Sequence, residues 1–201
     1  MKTSNALQTS DVRDSILAHG QRIMAGKGFS AVGINEVLTA ASVPKGSFYH
    51  YFSSKDAFGE ALLEDYFEGY LAEIDQTLSL PGLNMAERLL KYFESWQANQ
   101  SFFDCQGKCL AVKLGAEVAD LSEAMRMALK RGTAGITERL AAAIEAGLAE
   151  GSLKVDGAPE DIAKSLYQMW LGASVMVKIN RNTLPFDTAM VATRQLLRTA
   201  G

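Results

Sequence analysis

The chain has 201 residues, of which 48% are hydrophobic, 21% are charged and only four are proline. This is the composition of a globular protein with a sizeable core and long helices, and it excludes a mainly disordered chain. The net charge of −3 is distributed unevenly, because residues 1–55 carry +3 and residues 56–201 carry −6. A basic first segment ahead of an acidic remainder suits a protein whose first segment alone meets phosphate groups.

No membrane or secretory segment is predicted. The most hydrophobic uninterrupted stretch, residues 165–177, ends at Lys178 and is too short to span a bilayer. Residues 1–10 contain no apolar segment followed by small cleavage residues. The only cysteines, Cys105 and Cys109, lie too close together for a disulfide-stapled extracellular fold. We therefore expect a cytoplasmic protein without membrane contact.

Three helices are predicted in the first 55 residues. Apolar residues at helical spacing predict a first helix over residues 11–27 and a short second helix over residues 34–41. A tight turn at residues 42–43 follows. Pro44 suits the first turn of a helix, where an amide hydrogen has no partner, and it opens a third helix through residues 45–51.

The remainder of the chain is also predicted to be helical. Ser53 with Asp56, and Asp120 with Glu123, have the spacing of reciprocal N-terminal caps and introduce two long helices. Further helices are predicted at about residues 85–99, 108–118, 159–177 and 186–198. Because no alternation typical of strands appears, the predicted fold class is all-α.

The second and third helices have the length and connection of a helix-turn-helix, whose second helix enters the major groove of DNA. Phe48 and Phe52 share one face of the third helix and fix it against its neighbours, while polar side chains on the other faces reach phosphates and base edges. The candidate DNA-binding residues here are Lys45, Gly46, Ser47, Tyr49, His50, Tyr51 and, in the next turn, Lys55. Taken alone, this aromatic-rich segment is equally compatible with a simple core helix.

A longer pattern favours DNA binding. Residues 34–38 (INEVL), 43–52 (VPKGSFYHYF) and 54–57 (SKDA) together closely resemble the DNA-binding domain of the TetR family of bacterial regulators. The resemblance adds Gly33 and Asn35 to the DNA-binding candidates. Many members have Thr and Ser or Arg near this position, so the chain departs from the family pattern there.

The resemblance also implies an architecture and a function. It implies a homodimer of all-helical subunits, each with a three-helix DNA-binding head over residues 1–55 and a helical sensing and dimerisation body over residues 56–201. Most members are repressors that leave operator DNA when a small-molecule inducer binds. The expected partners are therefore operator DNA, a second copy of the chain and an inducer, and no cofactor is expected.

Residues 107–122 resemble a subgroup of this family that answers reactive electrophiles and oxidants through a cysteine corresponding to Cys109. Independently, a thiol near a helix N-terminus, with Lys108 beside it and Lys113 one turn later, favours the reactive thiolate. A buried structural cysteine is the alternative. Cys105, predicted in the preceding loop, is either a resolving thiol or has no role.

Lys178 is the second sensor candidate. It ends an apolar helix face, where a lysine commonly extends to solvent, and the resemblance makes it a candidate partner of Cys109. A noncovalent hydrophobic inducer remains an alternative to electrophile sensing.

An enzyme and a metal sensor are the competing classes. A cysteine nucleophile needs a base and a group that orients the base. Both histidines, His19 and His50, lie in the predicted head, away from Cys109 in the sequence. Two cysteines without a nearby histidine also fall short of the usual zinc pattern. The sequence therefore predicts neither an active site nor a metal site.

The homodimer is predicted to form through the last two long helices. The penultimate helix carries an apolar stripe wide enough for a four-helix interface. The stripe consists of Leu166, Met169, Trp170, Ala173 and Val177.

Overall fold

A computed structural model describes residues 3–105 and 109–198 of the chain, with side chains for residues 11–100 and 109–198. Within these residues the regular structure consists of nine α-helices and no β-strand, which confirms the predicted all-α fold. The helices are α1 (Thr3–Lys27), α2 (Ile34–Ala40), α3 (Lys45–Tyr51), α4 (Lys55–Leu78), α5 (Met85–Cys105), α6 (Leu110–Leu121), α7 (Glu123–Ala149), α8 (Pro159–Asn180) and α9 (Leu184–Leu196).

Several helix boundaries differ from the prediction. Helix α1 begins at Thr3 rather than at residue 11, since no proline or glycine lies between these positions to interrupt it. The cap of α4 is Ser54 and not Ser53, because the Ser54 hydroxyl accepts a hydrogen bond from the Ala57 N–H at 3.0 Å. Ser122 takes the corresponding place before α7, where Asp120 was expected, with its hydroxyl 3.5 Å from the Met125 N–H.

The turn between α2 and α3 gives the helix-turn-helix its geometry. The Val43 N–H bonds to the Leu38 carbonyl at 3.0 Å and the Ser42 N–H to the Thr39 carbonyl at 3.2 Å, the pattern that ends a helix with one left-handed residue. Ser42 is that residue, with φ 56°. Pro44 then forms the N-cap of α3 rather than its first helical residue.

The chain divides into two compact units, and the division falls within α4 and α7. The first unit comprises residues 1–68 and 108–132, and the second comprises residues 69–107 and 133–201. Helix α6 and the start of α7 thus belong to the same unit as α1–α3. The predicted domain boundary between residues 55 and 56 stays a prediction.

Aromatic side chains form the centre of the first unit. Phe48 is 0% exposed, and the rings of Phe48, Phe52 and Phe58 lie with centroids 5.1–5.5 Å apart. The predicted inward face of the third helix is therefore confirmed. Close helix packing also requires Gly132, where a methyl group would overlap the Phe67 ring.

The core of the second unit contains most of the apolar stripe that was predicted for the dimer. Trp170 stacks between Phe93 and Phe186, at 5.0 and 5.6 Å between ring centroids, and its indole N–H bonds to the Thr193 hydroxyl at 2.9 Å. Leu166, Ala173 and Val177 are buried and Met169 is half-buried. The prediction that this face forms the dimer contact was wrong, because these side chains pack inside the protomer.

Candidate DNA-binding and sensing sites

Helix α3 places most of its polar candidates away from the core. Lys45, Gly46, Tyr49 and His50 are exposed, with Tyr49 at 58%, whereas the Phe48 side chain between them is buried. Ser47 and Tyr51 are half-buried, and the Tyr51 and His50 rings meet edge to face at 4.9 Å. A seven-residue helix thus presents a cation, a phenol and an imidazole together on its outer surface.

The other DNA-binding candidates lie at the ends of neighbouring helices. Gly33 is the exposed N-cap of α2 and Asn35 is an exposed residue of its first turn. Lys55 begins α4, and its ammonium lies 4.6 Å from the centre of the Phe29 ring. This cation–π contact restrains the lysine side chain. It was not predicted, since Phe29 and Lys55 are distant in sequence.

A second unpredicted contact fixes the connection between α1 and α2. The Glu117 carboxylate of α6 accepts hydrogen bonds from the backbone N–H groups of Phe29, at 3.0 Å, and Ser30, at 2.7 Å. We call these two bonds the Glu117 clamp. Burial raises the pKa of Glu117, but hydrogen bonds from Ser30 and Phe29 and the charge of Lys113 outweigh burial and hold the pKa below its usual value.

Cys109 is the N-cap of α6, as its predicted place near a helix N-terminus requires. The residue is 9% exposed, and the Tyr66 hydroxyl donates to its sulfur at 3.6 Å. Tyr66 was not among the predicted site residues, because its separation in sequence concealed the contact. The backbone carbonyl of Cys109 accepts the Lys113 N–H at 3.0 Å, which begins the hydrogen-bonding pattern of the helix.

The remaining residues considered for the sensor are Cys105, Lys108 and Lys178. Cys105 is the last residue of α5 rather than part of a loop, and its side chain lies outside the described part of the structure. Lys108 lies outside the described residues altogether. Lys178 is half-buried in the last turn of α8, in the second unit, whereas Cys109 belongs to the first unit. The pairing of Lys178 with Cys109 stays a prediction.

An exposed apolar surface covers parts of α8 and α9. Ile179 is 65% exposed, and this surface differs from the buried stripe that contains Trp170. We call it the α8/α9 surface, and it consists of Val175, Met176, Ile179, Leu184 and Val191. Such a run of exposed aliphatic side chains is typical of a protein contact.

The described residues hold neither a membrane-spanning helix nor a metal site. No helix there has both the length and the apolar character needed to cross a bilayer. Within the same residues, no three His, Cys, Asp or Glu side chains converge as metal ligands.

A helix-turn-helix with an exposed polar face on its second helix defines a DNA-binding protein. Comparison with known families agrees. Residues 16–62 match the family described as bacterial regulatory proteins, tetR family, and residues 86–193 match the tetracyclin repressor-like C-terminal domain. The chain belongs to the TetR family. It is a DNA-binding transcription regulator and not an enzyme, as the sequence predicted.

Individual relatives are similar over nearly their whole length. The HTH-type transcriptional repressor NemR of Escherichia coli K12 is 39% identical over 193 residues, covering 94% of this chain and 95% of that protein. The repressor DhaR of a Mycobacterium species is 34% identical over 176 residues, covering 88% and 87%. The crystal structure of reduced E. coli NemR superimposes with a TM-score of 0.90, covering 95% of this chain and 99% of NemR.

Proposed function

We propose that this protein is a repressor that binds operator DNA through the exposed face of α3, assisted by Gly33 and Asn35 at the start of α2 and by Lys55. The observation that carries the proposal is the division of α3 into two faces, with Phe48 buried and Tyr49 exposed. The buried face fixes the helix, while the exposed groups remain available to phosphates and bases. NemR and DhaR carry the name of repressor, which supports the direction of regulation.

Operator binding is tested by substituting Tyr49, on the exposed face of α3, and Lys55, the first residue of α4. Tyr49→Ala or Lys55→Ala should weaken binding to an operator fragment about tenfold, roughly the effect of losing one good contact. The matched control is Lys91→Ala, which removes an exposed lysine from α5. Equal affinities for wild type, Tyr49→Ala and Lys55→Ala in a gel-shift titration would contradict the assignment of this face.

We also propose that the protein is a homodimer formed through the α8/α9 surface. A second copy is the fitting occupant because repressors of this family act as dimers, and a two-fold pair of α8 and α9 makes a four-helix contact. The DNA site should then be a pseudo-palindrome with half-sites about one helical turn, or a multiple of it, apart. Ile179→Glu should yield a monomer in light scattering, whereas Val112→Glu, a control at a half-buried position on α6, should remain dimeric. A dimeric Ile179→Glu would contradict the proposed contact.

We propose that the inducing signal is an electrophile or oxidant that reacts at Cys109, with Lys178 as a candidate partner. The observation that supports this is a thiol at a helix N-cap whose sulfur accepts a hydrogen bond from Tyr66. The helix N-terminus and the hydrogen bond from Tyr66 favour the charged sulfur, whereas burial of the residue opposes it. With N-ethylmaleimide, the thiolate sulfur forms a bond to one alkene carbon, the C=C π bond breaks, and the other carbon takes a proton from water.

The test compares release of operator DNA from wild type, Cys109→Ser and Cys105→Ser, all reduced before N-ethylmaleimide is added. Wild type and Cys105→Ser should lose operator affinity, and Cys109→Ser should retain it. Lys178→Met should slow the reaction of Cys109 if the ammonium stabilises the thiolate. Equal release from wild type and Cys109→Ser would contradict sensing at Cys109.

A noncovalent inducer is the second candidate. Gln100 is buried on α5 in the second unit, and its side-chain oxygen accepts no hydrogen bond from the residues that the structure describes. An unsatisfied buried acceptor costs about 1–3 kcal/mol, so a ligand that donates to it would gain affinity. Trp96, one turn earlier on α5, is also buried. Release of DNA from Cys109→Ser by an uncharged aromatic alcohol, but not from Cys109→Ser/Gln100→Leu, would favour this candidate.

A further inference from the structure

Helix α6 carries both the proposed sensor cysteine and the carboxylate of the Glu117 clamp. Its N-cap is Cys109, and two turns later it carries Glu117. At 1.5 Å per residue, these positions are about 12 Å apart along the helix axis. A displacement that starts at the sulfur therefore has a short, continuous path to the carboxylate.

The Glu117 clamp brings the carboxylate close to the backbone at Gly28. Gly28, the residue before the clamped pair, has φ 91°, a conformation that favours glycine, and a Cβ there would lie 3.0 Å from a Glu117 carboxylate oxygen. Both bonds of the clamp end on backbone N–H groups. Since a carboxylate bonds such groups more strongly than a neutral acceptor does, the clamp restrains the path of the chain between α1 and α2.

Close packing along one face restrains the rest of α6 against its neighbours. Leu110, Leu114 and Val118 are at most 1% exposed and share one face of the helix, and α6 packs against α1. Packed interiors do not absorb added atoms locally. An adduct on the buried Cys109 sulfur must therefore shift the start of α6, and a helix shifts as a unit.

The clamped segment leads directly to the DNA-binding surface. The Val32 N–H bonds to the Phe29 carbonyl at 3.3 Å, and the Val32 side chain is 0% exposed. Gly33 then caps α2. A shift of Phe29 therefore displaces the start of α2, where Gly33 and Asn35 are assigned to DNA.

We infer that Glu117 is a positioning residue for operator binding, which holds the start of α2 in the binding-competent place and releases it when modification of Cys109 moves α6. This inference rests on the proposed sensing at Cys109. It places α6 on the route from the sensor cysteine to the DNA-binding surface.

The test measures operator affinity before and after modification of the full-length dimer by N-ethylmaleimide. Glu117→Gln keeps the shape of the side chain but removes its charge and one acceptor, and Glu117→Asp keeps the charge but withdraws it by one methylene group. Asp120→Asn is the matched control, because it removes an exposed carboxylate from the same helix. Hydrogen exchange at the Phe29 and Ser30 amides reports the clamp directly.

Unmodified Glu117→Gln and Glu117→Asp should bind operator about 5- to 10-fold more weakly than wild type, within the usual range of coupling between sites. Modification should weaken wild type and Asp120→Asn by about the same 5- to 10-fold and change the two Glu117 variants by less than about twofold. In wild type, modification should speed hydrogen exchange at Ser30.

The outcomes separate the two proposals. If modification lowers the operator affinity of wild type and of both Glu117 variants by the same factor, the positioning role of Glu117 is overturned while sensing at Cys109 stands. If modification leaves the operator affinity of wild type unchanged, sensing at Cys109 fails. The operator affinities of the unmodified variants then decide whether Glu117 has a positioning role. Glu117→Gln and Glu117→Asp binding as tightly as Asp120→Asn would overturn it.

Discussion

Replacing Phe48 by alanine tests the assigned orientation of α3 most directly. The Phe48 ring is 0% exposed and lies 5.3 and 5.5 Å from the rings of Phe52 and Phe58, measured between centroids. Removing a fully buried phenylalanine costs about 3–5 kcal/mol. Loss of three aromatic pairs, with Tyr49, Phe52 and Phe58, each contributing about 0.5–1.5 kcal/mol, places the expected loss in the upper part of that range.

The measurement is urea unfolding followed by circular dichroism, with Tyr49→Ala as the control. Tyr49 is 58% exposed and makes an edge-to-face pair with Phe48, so its removal should cost no more than about 0.5–1.5 kcal/mol. Tyr49→Ala should in turn lose operator affinity. If Phe48→Ala unfolded at the same urea concentration as wild type, or if Tyr49→Ala were the less stable variant, the orientation of α3 would be wrong.

Four further variants test the local geometry, and each is measured by chemical or thermal unfolding. Gly132→Ala should destabilise the protein by about 1–3 kcal/mol, because the added methyl overlaps the Phe67 ring, whereas Gly26→Ala on an open face of α1 should stabilise it by about 0.5–1 kcal/mol. Ser42→Gly should gain up to about 1 kcal/mol by relieving the left-handed backbone; an unchanged midpoint would contradict strain there. Because the folded state lowers the pKa of Glu117, its contribution is present above the usual value of about 4.3 and is lost as the pH falls through the folded pKa. The stability difference between wild type and Glu117→Gln should therefore shrink below about pH 4, and a constant difference would count against the clamp.

Periodicity in the sequence was sufficient to predict the helices but could not choose between equivalent signals. Ser53 and Ser54 are both good capping residues, and only the structure shows that Ser54 makes the bond. Helix α8 is apolar on more than one face. The sequence pattern identified the stripe containing Trp170. In the structure this stripe is buried inside the protomer, where Trp170 donates a hydrogen bond to Thr193. The face that carries Ile179 is left exposed.

In the candidate sites too, features within one helix could be predicted from the sequence, whereas contacts between helices could not. The inward Phe48 and outward Tyr49 follow from the period of one short helix, so the sequence was sufficient to assign the face of α3. The position of Tyr66 at the Cys109 sulfur depends on how α4 packs beside α6. No local pattern records such a contact, because it joins residues from two separately predicted helices.

The Glu117 clamp illustrates why a coupling residue can escape notice in a sequence. A search for complementary side chains pairs an acid with a base, and Lys113, one turn earlier on α6, would be the natural partner of Glu117. The structure instead directs the carboxylate to backbone N–H groups, which every residue except proline supplies. Substitution of Phe29 can therefore leave its bond intact, whereas truncation of Glu117 to alanine removes both bonds at once. The dependence of the α1–α2 connection on α6 is thus concentrated in one side chain whose partners carry no signature of their own.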